Sequence, residues 1–342
     1  MRVLVTGSSG HLGEALVRVL TSEGHEVLGL DLSPSSFTDV VGSAADRSLV
    51  SDCMNGADAV IHAASLHKPH VGTHGQQDFI DANLMGTLCM LEQAVAAKVG
   101  SFVFTSTTSV FGSALTPPEG APAVWVTEDV APVPRNIYGV TKRAAEDLVE
   151  IFHHDHDLPC MVLRTSRFFP ELDDNPAVRD TYDDTNVKVN ELLYRRVDLE
   201  DVVGAHLLAM HRAPSIGFGR YIVSATTPFS PEDVVALRDD AAAVVRRKIP
   251  ECGATYDRLG WRLFPSIDRV YDNERARDAL GWEPRCDFRR ALASLDAKED
   301  PRSELSIAVG AKGYRANSVY PYTRPSPATA AHLSADVSGY IL

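Results

Sequence analysis

The sequence predicts an α/β fold in which helices cover both faces of a doubly wound parallel sheet. Short runs of Val, Leu, Ile and Phe, each about the length of one strand, alternate with segments that repeat apolar residues at helical spacing. The first run ends in a glycine-rich turn, and small or polar residues follow the later runs. Parallel strands need helical crossovers, and in such sheets ligands bind at the carboxyl ends of the strands.

The first predicted unit is a strand over residues 2–6, a glycine-rich turn and a helix. Glycines allow the backbone to approach a pyrophosphate, and the N-terminus of the helix offers unpaired N–H groups and the positive end of its dipole. A tight turn that binds no ligand is the alternative. On the ligand-binding interpretation, the cofactor contacts in this turn are Gly7, Ser9, Gly10, His11, Leu12 and Gly13.

Two further strand ends complete the predicted cofactor site. The strand over residues 26–30 ends in Asp31, close to the distance from the glycine turn at which an acidic residue hydrogen-bonds an adenosine ribose. The strand over residues 59–62 ends in Ala63 and Ala64, whose small side chains leave room for a cofactor. The acidic residue weakens the alternative of a turn without a ligand.

The candidate acid/base pair is Tyr138 and Lys142. They stand four residues apart on a predicted helix over residues 138–152 and so share one face. A phenol titrates near ~10 and is a poor base at neutral pH unless a nearby cation stabilises its phenolate, and Lys142 can be that cation. Thr107 follows the strand over residues 102–104, and its hydroxyl would hold the substrate oxygen while Tyr138 moves its proton.

The later part of the chain predicts a second, smaller lobe. After a fifth strand over residues 161–163 the alternation loosens. Residues 112–136 are rich in Pro and Gly and are predicted to form a long loop, and residues 171–186 are acidic and irregular.

We expect a Rossmann-like dinucleotide-binding domain, an interleaved substrate-binding lobe and a C-terminal tail. Their residues are 1–166 with 197–225 for the domain, 167–196 and 226–298 for the lobe, and 299–342 for the tail.

Composition and charge exclude several classes of partner. The formal net charge is −13 and no long basic run occurs, which argues against nucleic acid or an anionic membrane surface. No apolar run approaches the roughly 18 residues that span a bilayer, and a strand rather than a signal peptide begins the chain, so a cytoplasmic location is expected. The five cysteines never form CxxC and are predicted to be reduced thiols.

Two groups of histidines raise the question of a metal site. His67, His70 and His74 lie in one loop, and a second group at residues 153–156 closes a helix. The loop lacks the Cys residues or paired carboxylates that fix a metal geometry, and the dipole favours histidines at a helix C-terminus without any ligand. We therefore predict no metal and expect His67 to line the substrate pocket.

Taken together, the motifs resemble the extended short-chain dehydrogenase/reductase family, in particular its NAD-dependent epimerase/dehydratase branch. Residues 6–13 match the family's TGxxGxxG, and residues 81–87 its Asn-containing helix motif. Asp31 stands at the ribose-binding acid, Thr107 at the catalytic Ser or Thr, and Tyr138 with Lys142 at YxxxK. Weaker matches at residues 198–202 and 280–284 extend the resemblance to roughly residues 2–294.

The resemblance implies a set of roles. Tyr138 would be the acid/base, and Lys142 would hold the nicotinamide ribose and lower the pKa of the tyrosine. Thr107 would orient the substrate oxygen, Asn83 would support the proton relay, and the glycines with Asp31 would bind NAD. The family also implies a homodimer that pairs the helices over residues 79–97 and 138–152.

Departures from the family pattern narrow the expected chemistry. Thr108 and Ser109 replace the acidic pair of dehydratases, so dehydration is not expected. Arg167 replaces the Asn of nucleotide-sugar epimerases, and the acidic segment 171–186 would repel a diphosphate. A basic cluster that includes Arg164 and Arg167 would gather around a smaller anion or, as an alternative, pair with those same acids.

The predicted function is therefore an NAD-dependent oxidoreductase that interconverts a secondary alcohol and a ketone. Its partner would be a compact polyol- or sugar-like small molecule that contacts His67, Thr108 and Arg167. One alternative is an NAD-dependent sugar or nucleotide-sugar epimerase with transient oxidation. The alternative of another class is an NAD-sensing regulator without catalysis.

Overall fold

Seven parallel strands form the central sheet of the computed structural model, which describes residues 1–173 and 175–313. When the strands are numbered by their position in the chain, their order across the sheet is 3-2-1-4-5-7-8. The sheet therefore extends in both directions from the first strand. The seven strands are β1 (Arg2–Thr6), β2 (Glu26–Asp31), β3 (Val40–Val41), β4 (Ala59–His62), β5 (Ser101–Thr107), β7 (Cys160–Thr165) and β8 (Phe218–Val223). The remaining two, β6 (Val124–Val126) and β9 (Arg269–Tyr271), pair with each other.

Helices cover both faces of the sheet. Within β1, Val3 and Val5 pack into the core beneath one set of helices, whereas Leu4 points into the core on the opposite face. The first set contains α1 (His11–Ser22), α8 (Leu199–Ile216), α11 (Glu274–Leu280) and α13 (Glu304–Val309), and the second contains α2 (Arg47–Met54), α4 (Gly86–Ala96) and α5 (Ile137–His156). The predicted doubly wound α/β sheet is confirmed.

The second lobe has its own hydrophobic core. Helices α7 (Asp184–Leu192), α9 (Val234–Lys248), α10 (Cys252–Leu259) and α12 (Phe288–Asp296) enclose it, together with β9. Two short helices, α3 (Gln76–Phe79) and α6 (Pro176–Thr181), lie outside this core. A π-helical turn, Ile80–Met85, joins α3 to α4.

Two regions differ from the sequence-based expectation. The stretch over residues 112–136 is not a featureless loop, because it contains β6, whose Val126 is fully buried. Three residues are too few to show an alternating pattern, and the partner strand β9 lies far along the chain. The acidic stretch over residues 171–186 is not irregular, because it contains α6 and the start of α7. Asn175 and Asp183 accept hydrogen bonds from the first turns of these helices, so the polar residues act as caps.

The beginning of the predicted C-terminal tail packs on the body of the protein. The Ser303 hydroxyl donates a 2.5 Å hydrogen bond to Asp198, and the buried Val309 joins the core of α1 and α8. Residues 314–342 of that tail lie outside the described part of the chain. Within residues 1–173 and 175–313, no helix combines the length and the apolar character needed to cross a membrane.

Candidate active site

The glycine turn after β1 lies against the end of β4. Gly7 has a φ of +75°, and a side chain there would bring its Cβ within 2.8 Å of the Ala64 nitrogen. A side chain at Gly13 would lie 1.9 Å from the Gly7 carbonyl oxygen. Gly10 precedes α1 in an extended conformation, and no side chain caps the helix. The close backbone approach and the uncapped helix start form a cradle that fits a pyrophosphate.

Asp31 lies beside this cradle at the end of β2. Its carboxylate accepts hydrogen bonds from the Ser9 nitrogen at 3.0 Å and from the Ser33 nitrogen at 2.9 Å. Burial raises the pKa of Asp31, while these backbone hydrogen bonds oppose the increase. The contact with Ser9 fixes the acid against the glycine turn, where a ribose next to the pyrophosphate would meet it.

A cavity of about 370 Å³ brings most of the sequence-predicted residues together. Its lining joins the glycine turn to the candidate catalytic residues on β5 and α5. The predicted residues in this lining are Gly7, Gly10, His11, Leu12, Gly13, Asp31, Ala63, Ala64, His67, Thr107, Thr108, Tyr138 and Arg167. The other three predicted residues, Ser9, Asn83 and Lys142, are buried next to it.

Thr107 and Tyr138 both line the cavity, and the Thr107 hydroxyl accepts a 3.1 Å hydrogen bond from the Ser109 nitrogen. Thr107 ends β5, and Tyr138 is in the first turn of α5, whose start is capped by Asn136. Burial raises the pKa of Tyr138 to about 12, and the neighbouring Thr107 side chain opposes part of that increase. Burial and Thr107 account for this shift, and the expectation that Lys142 lowers the pKa of the tyrosine stays a prediction. The phenol is shielded from water and is a proton donor rather than a base.

Lys142 lies one helical turn beyond Tyr138 and is buried. Its ammonium group is 3.9 Å from the centroid of the Phe104 ring on β5. Burial lowers the pKa of Lys142 to about 7, and the charge of Glu146 opposes this decrease. The lysine therefore titrates well below its usual range, and the charge of Glu146 favours its protonated form.

Asn83 is in the π-helical turn and uses its side chain to hold neighbouring segments. Its Oδ1 accepts from the Leu66 nitrogen at 2.8 Å, and its Nδ2 donates to the Leu66 carbonyl at 2.9 Å and to the Thr141 hydroxyl at 3.1 Å. These contacts fix the loop after β4 against α5. The proton-relay role of Asn83 stays a prediction.

The three predicted substrate residues line the cavity in different environments. The ring of His67 stacks on Phe169 with centroids 5.0 Å apart, and burial holds its pKa well below the usual value. Thr108 is buried next to Thr107. Arg167 forms an ion pair with Asp173 and a 3.1 Å contact with Glu191.

The predicted basic cluster separates into two networks of acid and base. Arg164 pairs with Glu146 at 2.7 Å, and Arg143 and Arg220 also contact this carboxylate. Arg195 and Arg196 each lie 2.8 Å from Glu191, which Arg167 also contacts. Although burial alone would raise it, these guanidinium groups hold the pKa of Glu191 at about 2. The alternative in which the arginines pair with the acids of residues 171–186 holds for Arg167 and Asp173, whereas the other arginines pair with Glu191 and Glu146 outside that segment.

Several cavity residues were not predicted from the sequence. Phe169 and Glu171 follow β7, and the rule that ligands meet strand ends could have found them. Arg269 and Tyr271 belong to β9, which is too short for a sequence signal. In the described residues, no three His, Cys, Asp or Glu side chains are grouped so that they could hold a metal ion.

Comparisons with known proteins agree with this geometry. A family model described as the NAD dependent epimerase/dehydratase family matches residues 3–215. The low-salt glycan biosynthesis protein Agl12 of Haloferax volcanii is 32% identical, over 85% of this chain and 96% of its own. A dTDP-glucose 4,6-dehydratase of Streptomyces antibioticus is 27% identical, over 89% and 94%. A UDP-glucose 4-epimerase of Lactobacillus helveticus is 25% identical, over 83% and 92%.

Solved structures show the same fold. A short-chain dehydrogenase/reductase superfamily protein from Agrobacterium tumefaciens with bound NAD superimposes with a TM-score of 0.61, at 25% identity, over 87% of this chain and 96% of its own. MoeE5 in complex with UDP-glucose and NAD has a TM-score of 0.60 at 24% identity, over 87% and 98%.

Proposed function

The chain belongs to the NAD-dependent epimerase/dehydratase family, and we propose that it interconverts a secondary alcohol and a ketone on a compact, sugar-like substrate. The family, the NAD cofactor and the enzyme class predicted from the motifs are confirmed. The observation that carries the proposal is that Thr107 and Tyr138 line the same cavity as the glycine turn and Asp31.

Some residues of the cavity would bind the cofactor, and others would position the substrate and transfer a proton. Bound NAD supplies the acceptor or donor for a hydride. The backbone of the glycine turn would hold its pyrophosphate, and Asp31 would accept a hydrogen bond from its adenosine ribose. The Thr107 hydroxyl orients the substrate oxygen, and the neutral Tyr138 phenol gives that oxygen a proton as a ketone is reduced. In the oxidation direction the Tyr138 phenolate would take this proton back, and the positive charge of Lys142 would stabilise that phenolate.

The second lobe supports a compact substrate. Arg167, Arg195 and Arg196 all contact Glu191, and Arg167 also pairs with Asp173, so these guanidinium groups are already engaged with acids of the protein. Thr108 and Ser109 offer hydroxyl groups where water elimination would need an acid and a base.

A nucleotide-sugar epimerase or dehydratase is the second candidate, and the relatives favour it. The matches to a UDP-glucose 4-epimerase and a dTDP-glucose 4,6-dehydratase each cover more than nine-tenths of those proteins. The same relatives are enzymes, which disfavours the alternative of an NAD sensor without catalysis.

Incubation of the purified protein with NAD and a panel of polyols, aldoses, uronates and nucleotide sugars tests these proposals. NADH formed in step with a compact substrate is the expected result. Conversion of UDP-glucose or dTDP-glucose without net NADH formation, together with tight binding of free UDP, would replace it with the second candidate.

A further inference from the structure

Glu146 lies on the same face of α5 as Tyr138 and Lys142, one turn beyond the lysine. The side chains of Glu146 and Lys142 are 0% and 1% exposed. Charges that are excluded from water act on each other through a lower dielectric than charges at the surface. Removing the charge of Glu146 would therefore destabilise the protonated form of Lys142 even without a direct hydrogen bond between the two side chains.

The carboxylate of Glu146 is held in place by two strands. The Ser106 hydroxyl on β5 donates to it at 2.5 Å, and Arg164 on β7 donates from Nε at 3.1 Å and from Nη2 at 2.7 Å. Ser106 directly precedes Thr107. Glu146 thus joins the helix that carries Tyr138 to the strand end that carries Thr107.

The other groups that face Lys142 provide no compensating negative charge. Phe104 presents its ring from β5, and Tyr138 is neutral one turn earlier on α5. His62 on β4 and His67 in the following loop also act on the lysine electrostatically. Burial and then the charge of Lys142 hold the pKa of His62 at about 3, and burial likewise lowers that of His67, so both are neutral. Among the described residues, Glu146 is the acid that stabilises the charge of Lys142.

We propose that Glu146 is a positioning residue that keeps Lys142 positively charged at neutral pH and so able to bind the nicotinamide ribose. The proposal rests on the proposed function, in which Lys142 contacts that ribose. Arg143 and Arg220 also lie 3.6 and 3.8 Å from the Glu146 carboxylate. Loss of the carboxylate would leave these arginines, Arg164 and Lys142 without their shared counter-charge, and the lysine can relieve this by losing its proton.

The direction of the pH effect follows from the state of Lys142. Its pKa is already lowered to about 7 by burial, and Glu146 opposes that decrease. A lower value still would leave the lysine mostly neutral at pH 7. Acidification would restore the charge and, with it, the contact to the ribose.

The test compares Glu146→Gln with Glu150→Gln, which makes the same change one turn further along α5. Glu150 is the matched control: it pairs at 2.6 Å with Arg220, which also lies 3.8 Å from Glu146, so Glu150→Gln perturbs the same network and keeps the charge of Glu146. The titration of Lys142 is followed by NMR of ¹³C at the lysine ε-carbons, assigned through Lys142→Met, and NAD affinity is measured over the same pH range.

We expect Glu146→Gln to move the Lys142 transition down by about one unit or more and to weaken NAD binding at pH 7 several-fold, with recovery at lower pH. Glu150→Gln should titrate like the unchanged protein. The same Lys142 transition in Glu146→Gln and in the unchanged protein would overturn the proposal.

Two further variants separate charge from packing. Ser106→Ala removes a hydrogen bond of Glu146 and keeps its charge, so it should leave the Lys142 transition in place, and an equal shift would show that packing alone sets it. If Glu146→Gln does not fold, Glu146→Asp moves the charge back by one methylene group, and an unchanged transition there would refute the proposal. Neither readout needs a substrate, so failure to find turnover would count against the proposed function alone.

Discussion

The carboxylate of Glu171 lies 3.0 Å from Nε2 of His11, and this contact joins the loop after β7 to the first turn of α1. The backbone nitrogens of Lys312 and Gly313 donate to the same carboxylate at 2.9 and 3.2 Å. Burial opposes its charge, but the hydrogen bond with His11 and the backbone N–H of Lys312 hold the pKa of Glu171 below its usual value. A carboxylate therefore lines the cavity at the helix end that would hold a pyrophosphate.

We expect Glu171→Gln to bind NAD more tightly, because it removes a negative charge from the site of an anionic group. The interaction of a charge with a helix end contributes about 0.3–1 kcal/mol. The dissociation constant of NAD should therefore fall by up to about fivefold. Fluorescence titration with NAD measures it, with Glu23→Gln at the far end of α1 as the control. Weaker binding in Glu171→Gln would show instead that the contact with His11 holds the loop in the form that the cofactor needs.

We expect Tyr138→Phe to lose most turnover and to keep NAD affinity, because it removes a proton donor without removing a ribose contact. General acid/base groups contribute roughly 10²–10⁴-fold. Lys142→Met should weaken both turnover and NAD binding. Steady-state rates and NAD titrations distinguish the two variants, and Tyr182→Phe, outside the cavity, is the control. Most of the activity surviving in Tyr138→Phe would mean that another group transfers the proton.

The cofactor side of this site could be predicted from the sequence because each of its signals is local. The glycine turn needs only neighbouring glycines, and Tyr138 and Lys142 need only helical spacing. Burial and long-range pairing determine what was missed. The raised pKa of Tyr138 depends on its exclusion from water, the pairing of Arg167 with Glu191 depends on the folding of α7, and β6 exists only because β9 lies beside it.

The predicted homodimer would pair the helices over residues 79–97 and 138–152, and these helices expose apolar side chains that could form the contact. Met85, Val140 and Ile151 are each about half exposed on the π-helical turn and α5. Apolar side chains of this exposure favour a self-complementary two-fold contact. Val140→Glu should give a monomer in sedimentation at micromolar concentration, and the equally exposed Val235 on α9 provides Val235→Glu as the control. A monomeric unchanged protein would refute the prediction.

The stability of the protein in acid is expected to depend on the charge of Glu191. Its pKa in the folded protein is about 2, below the usual value of 4.5, because Arg195, Arg196 and Arg167 outweigh the cost of burial. A group whose pKa is lowered by folding contributes stability above its unfolded pKa, and that contribution is lost as the pH falls through the folded pKa. The shift corresponds to a contribution on the order of 3 kcal/mol at neutral pH.

Glu191→Gln should therefore lower the free energy of unfolding by about 3 kcal/mol at pH 7, since it leaves three guanidinium groups around a neutral amide. The difference from the unchanged protein should shrink as the pH falls from about 4.5 toward 2, because protonation then removes the same charge from the unchanged protein. Urea denaturation at several pH values measures both curves. Glu251→Gln, which breaks the exposed pair with Arg289, should cost less than about 1 kcal/mol. Parallel curves for Glu191→Gln and the unchanged protein across this range would show that Glu191 is not the charge on which the arginines depend.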